Sequence, residues 1–141
     1  MFYKSILLPL LTQVLLTFLV WVYLYITRLR EMRLKNINPQ QLAEAGQKKL
    51  LLTDSLGPSD NFQNLLEMPL LFYLAVLLSL VLLIQDEVLV QLAWGFVLLR
   101  AIHSLIHCTY NRVIHRFWAY FFSCLLLLLM WYRLALYILT Q

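Results

Sequence analysis

The 141-residue sequence is poor in charged residues and lacks the common motifs of catalytic, phosphate-binding and zinc sites. Only 13% of its side chains are charged, whereas a soluble domain carries about 25%. Combined with the high mean hydropathy of +0.77, this shortage excludes a disordered chain, a collagen, a nucleic-acid-binding domain and nearly every soluble enzyme. The 2 cysteines, Cys108 and Cys124, lie in apolar segments and predict no disulfide framework. No nucleophilic triad, glycine-rich phosphate loop or zinc cluster is visible.

Apolar side chains are abundant instead, at 62% of residues, and the mean hydropathy is +0.77. A soluble fold of this length cannot bury so many, so a lipid bilayer must be the main solvent. A membrane-spanning helix needs about 20 mostly apolar residues, and leucine-rich segments without alternation argue against β-spans. We predict a single all-α membrane domain over 1–141, a bundle of four transmembrane helices. Its spans cover about 5–27, 61–84, 88–110 and 117–139. Residues 28–60 form the one long polar loop, with one short helix expected around Pro39–Lys49.

The distribution of lysine and arginine predicts the orientation of the spans. Eight of the basic residues fall in the first and third loops: Arg28, Arg30, Arg33, Lys35, Lys48, Lys49, Arg112 and Arg116. The other side holds Lys4, with Arg133 near the end of the fourth span. Because short cytoplasmic loops carry the excess of positive charge, both termini are expected outside and the first and third loops in the cytoplasm.

Ionisable and amide side chains form two stripes inside the spans, where such groups usually face the bundle interior. On the second span, positions i, i+4 and i+7 hold Asp60, Asn64 and Glu67. On the third span, four residues lie within about 80° of one another: Arg100, His103, His107 and Asn111. Both stripes fall in the cytoplasmic half. Glu67 and Arg100 are therefore expected to pair or to share a charged ligand.

Each stripe also has a purely structural explanation. Glu67 and Arg100 could form an ion pair that only joins two helices, and Asn64 could supply an interhelical hydrogen bond. His103 and His107 have the i, i+4 spacing of metal ligands. Two histidines with at most one carboxylate are a weak ligand set, so no metal is predicted.

Two segments carry a resemblance to a known family. Residues 60–69, DNFQNLLEMP, resemble the second-helix motif of the MAPEG family, the membrane-associated proteins in eicosanoid and glutathione metabolism. Residues 100–107, RAIHSLIH, are similar to the family's helix-three motif. The resemblance extends over nearly the whole chain and is closest to bacterial-type members. It implies a left-handed four-helix bundle that forms a homotrimer, with glutathione bound between neighbouring subunits on the cytoplasmic side.

The resemblance also implies roles for individual residues. Asn64, Glu67 and Arg100 would contact glutathione, Glu67 through the γ-glutamyl ammonium. Arg28 or Arg30 would match the family's carboxylate-binding arginine at the end of the first helix. The polar rings His103 and His107 stand where other members carry tyrosines, and they join the glutathione-binding set.

The family arginine that lowers the pKa of the thiol falls at Ile114 in this register. Arg112 and Arg116 flank that position by two residues on either side. Two residues on a helix amount to about 200°, so neither arginine can take its place without a loop or a break. The candidates for activating the thiol are therefore Arg100, Arg112 and Arg116.

These observations support two functions and a structural alternative. The first is a membrane-embedded, glutathione-dependent transferase or peroxidase that acts on lipophilic electrophiles taken from the bilayer. The alternative is a non-catalytic membrane binding or interaction protein on the same fold, which the altered positions favour. In the third, a structural membrane subunit or a small transporter component, the polar stripes only hold the helices together. Expected partners are glutathione, a lipophilic small molecule and membrane lipid.

Overall fold

The computed structural model describes residues 2–43 and 45–140, which contain five α-helices and no strand. In chain order the helices are α1 (Phe2–Leu34), α2 (Ala45–Leu51), α3 (Leu56–Val81), α4 (Glu87–Cys108) and α5 (Val113–Thr140). In these ranges α1, α3, α4 and α5 are long and apolar enough to cross a membrane. The chain is thus a multi-pass integral membrane protein built as a four-helix bundle.

The first helix is longer than the apolar segment that predicts it. It contains 33 residues, about 50 Å at 1.5 Å per residue, whereas the hydrocarbon core of a bilayer is about 30 Å thick. The uncharged residues end at Thr27, and the helix continues through Arg28 to Leu34. This extension carries basic side chains beyond the apolar layer.

The long polar loop contains more helix than the sequence predicts. A single 3-10 turn, Pro39–Leu42, begins after Asn38, whose side chain accepts a hydrogen bond from the backbone N–H of Gln40. The short helix α2 follows. Both fall where one short helix over Pro39–Lys49 was expected. α3 then begins at Leu56, five residues before the predicted start at Asn61.

The start of α3 is held by Glu31 of α1. The Glu31 carboxylate is 2% exposed and accepts hydrogen bonds from the backbone N–H groups of Asp54, at 2.9 Å, and Ser55, at 3.0 Å. Lys35 forms an ion pair with the same carboxylate. Ser55 makes no side-chain cap, so Glu31 supplies the acceptor that the preceding turn needs. This contact ties the extension of α1 to α3.

The two ends of the bundle differ in composition. At the loop end, α1 and α4 are joined by a hydrogen bond from the Tyr23 hydroxyl to the Cys108 carbonyl, at 3.3 Å. At the opposite end, α3 turns into α4 through residues 82–86, where Leu83 has a φ of 55°. The apolar core fills the half next to that turn and centres on Phe72 and Phe96, stacked with ring centroids 4.7 Å apart. The polar stripes lie in the half next to the loop.

Candidate functional site

A cavity of about 430 Å³ opens between α3, α4 and α5 at the loop end. Ligand pockets usually measure about 300–1,000 Å³, so its size suits a small peptide or a cofactor. Ten residues line it: Asp60, Gln63, Asn64, Glu67, His103, His107, Val113, Arg116, Phe117 and Tyr120. Carboxylates, a guanidinium, imidazoles and aromatic rings therefore meet in one space at the membrane boundary.

The α4 stripe forms one wall because its spacing follows the helical period. Arg100, His103 and His107 are buried, at 0%, 2% and 3% exposure. Ser104, on the same side, donates a hydrogen bond to Oδ1 of Asn61 at 3.3 Å. This bond joins α4 to α3 beside the cavity. The stripe predicted from spacing is thus the inward face of the helix.

The two histidines have defined hydrogen-bonding roles. His103 Nδ1 lies 3.1 Å from the Arg116 carbonyl oxygen, and a carbonyl only accepts, so Nδ1 carries a proton. Arg116 Nη1 lies 3.0 Å from His107 Nε2. A guanidinium only donates, so His107 is a neutral ring protonated at Nδ1. Both imidazoles hold Arg116 in place, one through its backbone and one through its side chain.

A break in the helix brings Arg116 into the cavity. α4 ends at Cys108 and α5 begins at Val113, and Asn111 between them has a φ of 47°. Asn tolerates this left-handed conformation better than most residues. The Asn111 side-chain oxygen accepts a hydrogen bond from Arg116 Nη1 at 2.9 Å. The register argument allowed Arg116 to replace the residue at 114 only with a loop or a break, and the chain has a break between α4 and α5.

Arg100 lies behind the cavity wall and does not line it. Its Nη2 donates to the Asn64 backbone carbonyl at 2.7 Å. Its guanidinium carbon lies 5.2 Å from the ring centroid of Tyr120 and 5.9 Å from that of Phe96. Nε and Nη1 are buried with no hydrogen-bond partner among the described residues. No carboxylate of the described residues lies within 4.0 Å of this guanidinium, so its positive charge is present next to the cavity without an ion-pair partner.

The expected ion pair between Glu67 and Arg100 is not formed. Within the described ranges the only ion pairs closer than 4.0 Å are Lys35–Glu31 and Arg133–Asp86. Glu67 is exposed on the cavity side of α3, while Arg100 is turned toward the Asn64 carbonyl. The other expectation, that the two charges share a ligand, is compatible with their positions on either side of one wall.

Three other predicted residues lie outside the cavity. Arg28 reaches α3, where its Nη2 lies 3.4 Å from the Ser59 hydroxyl, next to Asp60 of the cavity wall. Arg30 faces outward on α1, beside Ile26 and Leu29. Arg112 is exposed on the connection before α5. Of the two candidates on α1, the structure places Arg28 nearer to the cavity.

Sequence reasoning did not select four of the lining residues: Gln63, Val113, Phe117 and Tyr120. Gln63 lies four positions before Glu67, and Tyr120 lies four positions after Arg116, so each shares a helix face with a predicted residue. That spacing was a usable signal for Gln63. For the α5 residues it becomes usable only once Arg116 is known to face the cavity.

The arrangement suits an organic ligand that carries both signs of charge. The carboxylates of Asp60 and Glu67 can take an ammonium, and Arg116 can take a carboxylate or stabilise a thiolate. No group of three or more His, Cys, Asp or Glu side chains in the described ranges is arranged to hold a metal ion.

Comparison with known proteins gives one match. The model of the MAPEG family matches residues 6–136 of the 141. No curated protein and no solved structure matches the chain.

Proposed function

Because the chain belongs to the MAPEG family, whose members act in eicosanoid and glutathione metabolism at membranes, we propose that it is a glutathione-dependent transferase or peroxidase. Its second substrate is a lipophilic electrophile dissolved in the bilayer. The observation that carries the proposal is the cavity at the loop end, which brings the carboxylates of Asp60 and Glu67 together with the guanidinium of Arg116. Glutathione carries one ammonium and two carboxylates, so it matches a cavity with both signs.

Charge matching gives each residue a role. Glu67, with Asn64 one turn away on α3, binds the γ-glutamyl ammonium. His103 and His107 keep the Arg116 guanidinium in position. Arg28 lies at the edge, next to Asp60 on α3, and takes a carboxylate. Arg100 acts through the wall, since it has no ion-pair partner among the described residues and electrostatic interactions strengthen in a low-dielectric surrounding.

Arg116 is the residue that we propose for activating the thiol. Its bonds to His107 and Asn111 both use Nη1, so Nη2 can still donate to sulfur. A nearby cation favours the thiolate and lowers the pKa of a thiol from about 8.5. The thiol proton passes to water, and the thiolate sulfur forms a bond to the electrophilic carbon. The bond between that carbon and its leaving group breaks. The electron pair stays with the leaving group, which takes up a proton.

The non-catalytic alternative has one observation in its favour. Ile114, where the resemblance places the activating arginine, is 63% exposed and does not line the cavity. If Arg116 does not replace that arginine, the cavity binds a thiol peptide without turning it over. In both proposed functions the cavity faces the cytoplasm and the termini lie outside. The family resemblance also implies assembly as a homotrimer.

A matched pair of arginine variants tests the proposal. We would titrate glutathione into the detergent-solubilised full chain at pH 7 and follow the ultraviolet absorbance of the thiolate. Wild type and Arg112→Gln should bind glutathione and show excess thiolate. Arg116→Gln should lose the thiolate and turnover of a model electrophile.

Each other outcome has a defined meaning. Glutathione binding without excess thiolate in wild type would exclude the transferase and leave the binding protein. Loss of the thiolate in Arg112→Gln alone would assign activation of the thiol to Arg112 in the loop before α5. No glutathione binding at all would reject both functions.

A further inference from the structure

The extension of α1 carries a groove that the proposed glutathione site does not use. The groove measures about 350 Å³ and is lined by Ile26, Leu29, Arg30, Arg33 and Leu34. At 100° per residue these five positions fall within about 140° of one another, and the two arginines are about 60° apart. One helix face therefore presents two guanidiniums above an apolar strip.

The two arginines have no counter-charge on this face. Both are exposed. The nearest carboxylate along the helix, Glu31, is 2% exposed and holds the start of α3 on the other side. Two uncompensated guanidiniums close together attract an anion, and their planar donor sets match phosphate oxygens.

The depth of the groove identifies the kind of anion. The uncharged residues of α1 end at Thr27, so Arg30 and Arg33 lie about 4.5 Å and 9 Å beyond that end. The polar layer on each side of the hydrocarbon core is about 5–8 Å thick. The guanidiniums are then level with lipid headgroups, while Ile26 is level with the upper part of the acyl chains. Leu29, about 3 Å beyond Thr27, lies at the boundary, and its Cα–Cβ bond tilts back toward the acyl chains.

We propose that this groove binds an anionic phospholipid, with its phosphate on Arg30 and Arg33 and an acyl chain along Ile26 and Leu29. Headgroup and chain bind one continuous face, so the lipid fits better than a soluble phosphate. Zwitterionic lipids fit less well because their headgroup adds a cation next to two arginines. The site is separate from the cavity between α3, α4 and α5.

The test compares two double variants that remove equal charge from the same loop region. The full chain in detergent is mixed with equal amounts of phosphatidylglycerol and phosphatidylcholine of identical chains, and native mass spectrometry measures the lipid retained. Wild type should retain phosphatidylglycerol preferentially. Each basic residue near a membrane surface contributes a factor of about five, so Arg30→Gln/Arg33→Gln should weaken retention about 30-fold. Lys48→Gln/Lys49→Gln, on exposed α2, should retain phosphatidylglycerol as wild type does.

Further arms separate the lipid from other occupants. Ile26→Ser should weaken retention of phosphatidylglycerol while both arginines remain. Displacement of the lipid by inorganic phosphate at equal concentration would overturn the proposal in favour of a free-phosphate site. If both double variants lose the same amount of phosphatidylglycerol, the retention reflects general surface charge, and the proposal is overturned as well. A changed number of subunits in Arg30→Gln/Arg33→Gln would show that a second copy occupies the groove.

The same samples distinguish this proposal from the glutathione function. A lower glutathione affinity in Arg30→Gln would assign the groove to glutathione and reject the lipid. Selective lipid retention in a protein that does not bind glutathione would support the lipid site and reject the proposed function.

Discussion

The two halves of the bundle are built from different interactions. In the half next to the α3–α4 turn, buried apolar side chains pack around the stacked rings of Phe72 and Phe96. In the half next to the loop, α4 buries Arg100, His103, Ser104 and His107. Both halves lie in the same four helices, so the difference arises from which residues face inward.

The two halves of the bundle contribute differently to stability and to function. The apolar half can be held by close packing alone. In the part of the chain that the structure describes, the loop half contains a buried guanidinium with unpartnered nitrogens. Its two imidazoles each have one buried nitrogen without a partner there, His103 Nε2 and His107 Nδ1. Buried polar groups without partners cost free energy. A polar half that costs stability is typical of a site arranged for a ligand.

The largest expected effect is in the apolar half. Phe72→Ala removes a fully buried ring and should lower the free energy of unfolding by about 3–5 kcal/mol. Phe121→Ala, whose ring is 46% exposed, is the control and should have little effect. Thermal unfolding in detergent measures both. Equal losses would show that the apolar half is not what holds the bundle.

Arg100→Met should have the opposite effect in the loop half. The Asn64 carbonyl keeps its bond within α3, and a buried charge that has no ion-pair partner in the described ranges is replaced by an apolar side chain. Replacing buried charged groups by apolar ones is often neutral or stabilising by about 1–4 kcal/mol. The melting temperature should therefore stay the same or rise, while glutathione affinity falls. Destabilisation together with unchanged glutathione affinity would mean that Arg100 is structural.

A double-mutant cycle sharpens the relation between Glu67 and Arg100. The two side chains form no ion pair closer than 4.0 Å, so the coupling between Glu67→Gln and Arg100→Met in ligand-free protein should be small, below about 1 kcal/mol. The coupling should grow when glutathione is bound, because the ligand then connects them. A coupling well above that limit without ligand would restore the direct pair that the sequence predicts.

The smallest effect is expected at the α3–α4 turn. Asp86 accepts hydrogen bonds from Arg133 Nε and, at 2.9 Å, from the Val88 N–H. Partial burial raises the pKa of Asp86, but the bonds from Arg133 and Val88 outweigh it, and the pKa lies below its usual value. The stabilisation is present above the unfolded-state pKa of about 4 and is lost as pH falls through the lowered value.

Asp86→Asn should therefore lower the melting temperature slightly at pH 7 and by progressively less in acid below about pH 4. Glu87→Gln removes a neighbouring exposed acid and is the control. A difference between Asp86→Asn and wild type that grows as the pH falls would contradict the sign of this argument.

Much of the site was predictable because helical spacing is a local property. The i, i+4, i+7 spacing placed Asn64 and Glu67 on one face of α3, and the α4 stripe followed the same period. The choice between Arg28 and Arg30 was not predictable, since it depends on the rotation of α1 against α3. Arg116 was also ambiguous, because its direction depends on a break at Asn111 that creates a new helix phase.

The sequence by itself determined that this chain is a four-span membrane bundle with polar stripes at one end and apolar packing at the other. Composition and periodicity are properties of segments a few helical turns long, and the bilayer imposes both on a segment that spans it. Only the tertiary structure decided that Arg116 enters the cavity, that Arg100 lies behind its wall, and that Glu67 and Arg100 do not touch. Those relations depend on how helices that are distant in sequence rotate and pack against each other, which no single segment encodes.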